Sequence, residues 1–354
     1  MEKMMKILTV DAHGVLDVVE LPVPQPNDNQ ALVRIEAGGI CGSDRKVLHA
    51  SLKVIPAEKY PVLIGHEAVG IVEEVGKNVT AYKVGDRVLK PGNDSMHGYT
   101  SLNGWGAFAE YGIVNDVGAV FKSGITEDSP EFPISSYIQT VIDPSISPAG
   151  AVMVITFREV LAAIRYFGIQ PDQSVAVFGC GPVGQAFIRF MRLMGIGPIF
   201  AMEIDEAKLI TAKESGADHV LNSADGSYIE KIREIVPKGV NYVIDASGYL
   251  PIINESMEFI ANRGKICCYG VPEPHSFNLD WSKASVVNWQ LIFQQFPHKL
   301  EESQASSQIY AWIESGALDP NDYISDVMDF EDIIPAYQKF IDGEFSKKCV
   351  IQIS

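Results

Sequence analysis

The chain has 354 residues, a formal net charge of −17, 47% hydrophobic residues and 21% charged residues. That length exceeds one ordinary core and predicts two domains, and the hydrophobic fraction is that of a folded protein. The acidic balance excludes nucleic acid as an expected partner, because phosphates would be repelled.

The opening residues, Met1 to Val10, contain no apolar stretch long enough for a signal peptide. No run reaches membrane-span length. Five cysteines at irregular spacing make no disulfide framework. Together these features predict a cytoplasmic protein.

Residues 1 to about 120 carry short apolar runs between turn signals, such as Ala31 to Ala37 and Ala68 to Gly76. The pattern predicts a β-rich, barrel-like domain. Val84-Gly85-Asp86-Arg87-Val88 reads as a tight turn into a strand. The stretch 122–147 is the least patterned and reads as a loop insertion.

From about 152 to 293 strands and helices alternate, which predicts a parallel sheet. Strands are expected at 174–178, 199–202, 219–221, 242–245, 265–269 and 286–293. Helices are expected at 186–193, 207–215, 228–235 and 253–260. Beyond 293 the structure reads as mixed, with a helix at 333–340 and a terminal strand at 349–353 that closes the first domain. The expected division is 1–152 completed by 294–354, and 153–293.

Two constellations carry chemistry. The first is Gly179-Cys180-Gly181-Pro182-Val183-Gly184, which follows an apolar strand and opens a helix. That context makes Gly-x-Gly-x-x-Gly a dinucleotide turn. Gly179 allows the tight turn, Gly181 lets the backbone approach a pyrophosphate, and Gly184 lets helix and strand pack closely. The next strand ends at Glu203, whose carboxylate can accept from both ribose hydroxyls and repels a 2′-phosphate, so NAD is expected over NADP. Cys180 reads as a small packed residue.

The second constellation is Cys41, His66 and Glu67. Thiolate, imidazole and carboxylate suit Zn²⁺, and Gly65 permits the turn that two adjacent ligands would need. On spacing alone, a buried thiol and a satisfied histidine fit equally well. Cys267 and Cys268 are adjacent in a strand and point to opposite faces, so they and Cys349 read as core. His97, Tyr99 and Trp105 fit either a substrate mouth or ordinary packing. His13, His49, His219, His275 and His298 have no partner pattern.

These residues sit in a recognisable order. Cys41-Gly42-Ser43-Asp44, Gly65-His66-Glu67-Ala68-Val69-Gly70, Val84 to Val88, Gly106-Ala107-Phe108-Ala109-Glu110-Tyr111, the glycine turn, Asp245-Ala246-Ser247-Gly248 and Lys348-Cys349-Val350 run through nearly the whole chain. The chain resembles the zinc-containing medium-chain alcohol dehydrogenase family, closest to its sorbitol, threonine and glucose dehydrogenase branches.

The resemblance implies an α/β fold, with a Rossmann-type parallel-sheet domain and a β-rich GroES-like catalytic domain. It implies one catalytic zinc on Cys41 and His66, with Glu67 as ligand or switching partner and Ser43 carrying the substrate proton. Lys208 would lie along the adenosine ribose with Glu203, and Lys348 would neutralise pyrophosphate. The implied reaction is NAD-linked interconversion of a secondary alcohol, polyol or sugar-like, with its ketone, in a homodimer or homotetramer.

Three departures accompany it. The family's further ligand position falls on Ile155, and Glu159 lies about one helical turn beyond it. Lys90 to Gly106 contains no cysteine, so no structural zinc is expected. Arg45 and Lys46 stand where a relay histidine is common; they fit an acidic substrate or, more simply, a solvated pair or salt bridge. Two rival readings are a zinc-free reductase of quinones or activated alkenes and a decayed NADH-binding protein.

Overall fold

The computed structural model describes residues 2–51, 54–272 and 276–354; His275 lies outside them. The chain divides into two compact units, 1–156 with 306–354, and 157–305. The division expected from the sequence has its boundaries at 152 and 293.

In the first unit, β1 (Met4–Val10), β2 (Leu16–Pro22), β3 (Gln30–Gly39), α1 (Gly42–Leu48), β4 (Val62–Leu63), β5 (Ala68–Val75), β6 (Arg87–Leu89), β7 (Tyr111–Asn115), α2 (Val117–Lys122) and α3 (Pro148–Phe167) follow in order. Strands β2-β1-β4 form one sheet. The last strand of the chain, described below, pairs with β3, which also pairs with β5 and β7. This is the predicted β-rich unit. Leu8, Ile40, Val47, Ile64, Phe108 and Ile351 form a core directly behind the turns that carry Cys41 and His66.

Residues 122–147 are not a free insertion. Phe121 and Phe132 stack at 5.4 Å, and a 3₁₀ turn spans Ile134–Tyr137. Buried Gln139 donates to the Lys90 carbonyl at 3.0 Å and accepts from Asn115 N–H at 2.8 Å. Such side-chain-to-backbone bonds leave no periodic trace in a sequence.

The second unit contains β8 (Val175–Phe178), α4 (Pro182–Leu193), β9 (Ile199–Glu203), α5 (Glu206–Glu214), β10 (His219–Asn222), α6 (Tyr228–Ile235), β11 (Val240–Asp245), α7 (Ile252–Ser256), β12 (Ile260–Cys268), α8 (Trp281–Ala284) and β13 (Trp289–Phe293). The strands are all parallel in the order β10-β9-β8-β11-β12-β13. This doubly wound order puts its switch point at β8, whose carboxyl end carries the glycine turn. All four residues of β8 are buried. Its two valines and Phe178 each contribute about 1.5–3 kcal/mol relative to exposure. The expected helix at 253–260 is shorter, because Ile260 pairs with Val240 and starts β12 early.

Four C-terminal elements complete the chain: α9 (Lys299–Glu314), β14 (Ile324–Asp329), α10 (Ile333–Ile341) and β15 (Lys348–Gln352). β14 pairs with β15, and β15 pairs with β3. Among the described residues, no helix is long and apolar enough to cross a membrane.

Candidate active site

Cys41 stands where β3 turns into α1, and its N–H is accepted by the Asp44 carboxylate at 2.9 Å. This bond ties the first turn of the helix to the residue that precedes it. His66 and Glu67 lie between β4 and β5. Gly65 makes that turn at φ +90°, and a Cβ there would meet the Phe108 ring at 2.4 Å. Glycine is therefore required on both conformational and steric grounds.

The result is a cluster in which one donor atom each from Cys41, His66 and Glu67 lie within 4.8 Å of one another. Residues whose spacing leaves them ambiguous in sequence are thus brought together as a candidate metal site. His66 Nδ1 faces Asp44 Oδ1 at 3.5 Å, an ion-pair separation at which neither atom makes a normal hydrogen bond. Ser43 Oγ lies 3.3 Å from His66 Nε2. With Nδ1 turned toward the Asp44 carboxylate, Nε2 is the nitrogen that would face a metal, in the carboxylate–histidine arrangement typical of zinc ligands.

The electrostatics agree. Burial would lower the His66 pKa, yet the Asp44 carboxylate and the Cys41 thiol beside it push it up to about 10. Negative charge around the imidazole is what a cation at this site would meet. The donor set, a soft sulfur with an oriented imidazole, fits zinc.

Glu67 is engaged elsewhere. Its Oε2 accepts from Lys348 Nζ at 2.6 Å and its Oε1 from Thr156 Oγ1 at 3.2 Å. Lys348 is 5% exposed and Glu67 2%. Burial would lower the Lys348 pKa, but the Glu67 charge, then Cys41, holds it above the ordinary lysine value. The ammonium of Lys348, for which the resemblance implies a phosphate-neutralising role, is in the fold the buried partner of Glu67.

Other expectations resolve similarly. Ile155 is fully buried, and the Glu159 carboxylate lies 3.7 Å from Lys299 Nζ. Isoleucine brings no donor atom, and Glu159 is engaged by a lysine of its own unit. Arg45 is neither a solvated pair nor a substrate clamp: it donates to the Phe340 and Ile341 carbonyls at 3.0 and 3.2 Å, capping the end of α10. Trp105 stacks on His66 with centroids 4.4 Å apart, whereas His97 is exposed. Cys41 is half-buried while the other four cysteines are buried. Burial pushes the thiols of Cys180, Cys268 and Cys349 up to about 12 and raises that of Cys267 too.

Sequence reasoning passed over Asp44, Tyr337 and Thr156. Tyr337 OH donates to Asp44 Oδ2 at 3.0 Å across 293 positions. Only Asp44, three residues after Cys41, left a local signal.

In the second unit the glycine turn is built of backbone. Gly179 has φ +88° and its missing side chain faces Ser247. A Cβ on Gly181 would meet nothing within 4 Å, so its backbone is open to a ligand. One on Gly184 would lie 1.8 Å from the Gly179 carbonyl. Pro182 occupies the first turn of α4, with Val183 half-buried beside it. Glu203 accepts from Cys180 N–H at 2.9 Å and Ile204 N–H at 2.8 Å, which fixes its carboxylate against the turn. Lys208 sits on the first turn of α5 with its ammonium 3.8 Å from Asp205. Gln185, not anticipated, donates to the Cys180 carbonyl at 2.9 Å and braces the loop.

Comparison with known proteins follows this geometry. Residues 27–123 match the family model of the alcohol dehydrogenase GroES-like domain, and residues 182–294 that of the zinc-binding dehydrogenases. The sorbitol dehydrogenase of Bacillus subtilis (strain 168) is 24% identical over 98% of this chain and 96% of its own. An L-threonine 3-dehydrogenase of Caldanaerobacter subterraneus subsp. tengcongensis is 29% identical over 73% of each. The crystal structure of an alcohol dehydrogenase (rspB) from E. coli CFT073, complexed with NADH, superposes with a TM-score of 0.80 at 20% identity over 99% of both chains. With both family models matched in order and the donor cluster formed, the chain belongs to the zinc-containing medium-chain alcohol dehydrogenases, a family of oxidoreductases.

Proposed function

We propose that this enzyme is a zinc-dependent, NAD-linked dehydrogenase interconverting a secondary alcohol of polyol or sugar-like type with its ketone. The observation that carries the reading is the convergence of Cys41, His66 and Glu67 within 4.8 Å, with the Ser43 hydroxyl 3.3 Å from the same imidazole. Zinc, when bound, would stabilise negative charge on the substrate oxygen, and the nicotinamide would supply the hydride acceptor.

The chain's residues do the rest. Cys41 and His66 hold the metal, and Asp44 fixes which imidazole nitrogen faces it. Ser43, half-buried, takes the proton of the substrate hydroxyl and passes it toward water. Glu203 accepts from the ribose hydroxyls, and its charge disfavours a 2′-phosphate, which supports NAD. The absence of cysteine from Lys90 to Gly106 supports a single zinc. The polyol reading is supported by the sorbitol and threonine dehydrogenases among the relatives. A cytoplasmic homodimer or homotetramer completes the proposal; the edge strand β13 of the parallel sheet is available for pairing.

The test is an oxidation screen with NAD and NADP across polyols, aldoses, hydroxy amino acids and simple alcohols, with and without chelator, alongside metal analysis. Chelator-sensitive turnover of a secondary alcohol with NAD, at one zinc per chain, is expected. A folded, NADH-binding protein that retains no zinc, or turnover that survives complete chelation, overturns it.

A further inference from the structure

We infer that the segment 134–142 is a clamp that holds Trp105 against the imidazole of His66, and that this indole is the wall limiting the bulk of the substrate's carbon skeleton at the donor cluster. Substrate here means the secondary alcohol proposed above, and that half rests on that proposal. The clamp is a matter of contacts within the first unit, and it gives the least patterned stretch of the chain a part in specificity.

Three observations support it. First, Trp105 covers one face of the imidazole, with ring centroids 4.4 Å apart and planes 26° from parallel. Nε2 belongs to that ring and lies 3.3 Å from Ser43 Oγ, so a carbon skeleton bound beside both runs alongside the indole. Second, Asn103, two residues before the indole, is gripped twice. Ser135 N–H donates to Asn103 Oδ1 at 2.9 Å, and Ser135 Oγ donates to the Asn103 carbonyl at 3.1 Å. Ser135 is buried, and a Cβ on Gly104 would collide with its Oγ. Gly104 also turns at φ +74°, so conformation and the seated serine both require glycine there. Third, the segment is anchored from behind. Leu89 N–H donates to the Thr140 carbonyl at 3.0 Å and Ile142 N–H to the Arg87 carbonyl at 2.9 Å, which lays it antiparallel to β6.

Asn93 closes the loop on its other side. Its N–H donates to the Trp105 carbonyl at 2.7 Å and its side-chain amide to the Gly106 carbonyl at 2.8 Å. The backbone of Trp105 is thus held on both flanks, and the stack does not depend on the indole alone.

The experiment uses the full chain in two forms. Supplied with zinc and NAD, it is assayed against secondary alcohols that differ in the size of one carbinol substituent. Metal-stripped, it is alkylated with iodoacetamide or the bulkier N-benzylmaleimide. Peptide mapping then follows labelling of Cys41, the one cysteine of the five that is not buried. Trp105→Ala should raise KM for the smallest alcohol about tenfold with kcat within about twofold, the mark of binding shared by ground and transition states. Its kcat/KM for the bulkiest alcohol relative to the smallest should rise about tenfold or more, the scale on which apolar pockets discriminate. The maleimide should label Cys41 about fivefold faster, while iodoacetamide labelling changes by less than about twofold. Zinc affinity, read by chelator competition, should stay within about twofold of wild type. Asn103→Ala combined with Ser135→Ala keeps the indole but removes its clamp, and should move KM and maleimide labelling the same way by about threefold.

A size preference unchanged in Trp105→Ala overturns the inference. So does a fall in kcat together with zinc affinity, which would make the indole a prop for His66 rather than a wall. A double variant with KM and maleimide labelling at wild-type values overturns the clamp. Should Trp105→Ala not fold, Trp105→Leu keeps an apolar side chain and should shift the size preference about threefold in the same direction; no shift there also counts against it. Wild type that oxidises none of the alcohols defeats the proposed function instead. Labelling of Cys41 needs no turnover, and it still decides whether the clamped indole limits what reaches the cluster.

Discussion

The donor cluster of the first unit and the glycine turn of the second are built on opposite principles. The cluster is made of side chains: Cys41, His66 and Glu67 converge, then Asp44, Tyr337, Thr156 and Lys348 fix them from as far as 293 positions away. The turn is made of backbone, and its parts, Gly179 to Gly184 and Glu203, lie within one strand–helix–strand unit. A backbone site is specified by what is missing, since a Cβ on Gly184 would lie 1.8 Å from a carbonyl. A side-chain site is specified by distant partners that must all be present.

The comparison predicts that each region can be broken without the other. Cys41→Ala removes the soft ligand and should lower kcat/KM roughly thousandfold, since metal polarisation supplies several kcal/mol and each 1.36 kcal/mol is tenfold. NADH affinity, read by fluorescence titration, should stay at the wild-type value. A parallel loss of NADH binding would show that the two regions are not separable.

The residues that brace the ligands from behind come next. Asp44→Ala removes the group that faces His66 Nδ1 and the acceptor of the Cys41 N–H. Outer-shell substitutions of this kind cost about 10- to 100-fold in metal affinity. Tyr337→Phe, which leaves Asp44 in place, should fall well inside that range. Chelator competition on the two variants ranks them, and equal losses would mean that Tyr337 matters as much as the carboxylate it holds.

These contrasts explain what could be read from the sequence. Gly179, Gly181, Gly184 and Glu203 were legible because a single strand–helix–strand unit contains them all. Cys41, His66 and Ser43 were legible through their short motifs. The partner of Glu67 was not, because Lys348 lies 281 positions on and offered an equally sensible anion-binding role. Arg45 was misread for the same reason: its acceptors are α10 carbonyls, which no side-chain pattern reveals. At the level of fold, the parallel unit announced itself through continuous buried strands such as Val175–Phe178. Helix α9 did not, because Lys299-Leu300-Glu301-Glu302-Ser303-Gln304 lacks a clear apolar stripe.

A third acid in the first unit shows what a carboxylate looks like without chemistry attached. Asp116 accepts from the N–H groups of Thr80, Ala81, Gly118 and Ala119 at 2.7–3.1 Å and caps α2. Burial would raise its pKa, but these donors hold it below the usual aspartate value. A depressed folded pKa contributes stability that is present above the unfolded value and lost as pH falls through the folded one. Asp116→Ala should therefore cost about 2 kcal/mol near neutrality, with the gap to wild type closing below about pH 4. Denaturant melts across pH would show it, and a gap that stays constant down to acid pH would remove the charge from the explanation.

Glu203 tests the turn in the same terms, and with the smallest expected effect. Its carboxylate is fixed by Cys180 and Ile204 N–H groups, so its position does not depend on cofactor. Glu203→Gln keeps the size and one acceptor oxygen but removes the charge, and a charge-assisted hydrogen bond exceeds a neutral one by roughly 1 kcal/mol. NADH affinity should fall about fivefold to tenfold, while discrimination against NADPH shrinks by a similar factor because the repulsion of a 2′-phosphate is gone. Zinc content should not move. A side-chain substitution that alters cofactor choice while the backbone cradle stays intact would show that the glycines bind the shared pyrophosphate and Glu203 alone reads the ribose. If NADPH binding does not improve relative to NADH, selectivity must instead lie in the residues after Glu203, where Ile204 and Asp205 open toward Lys208.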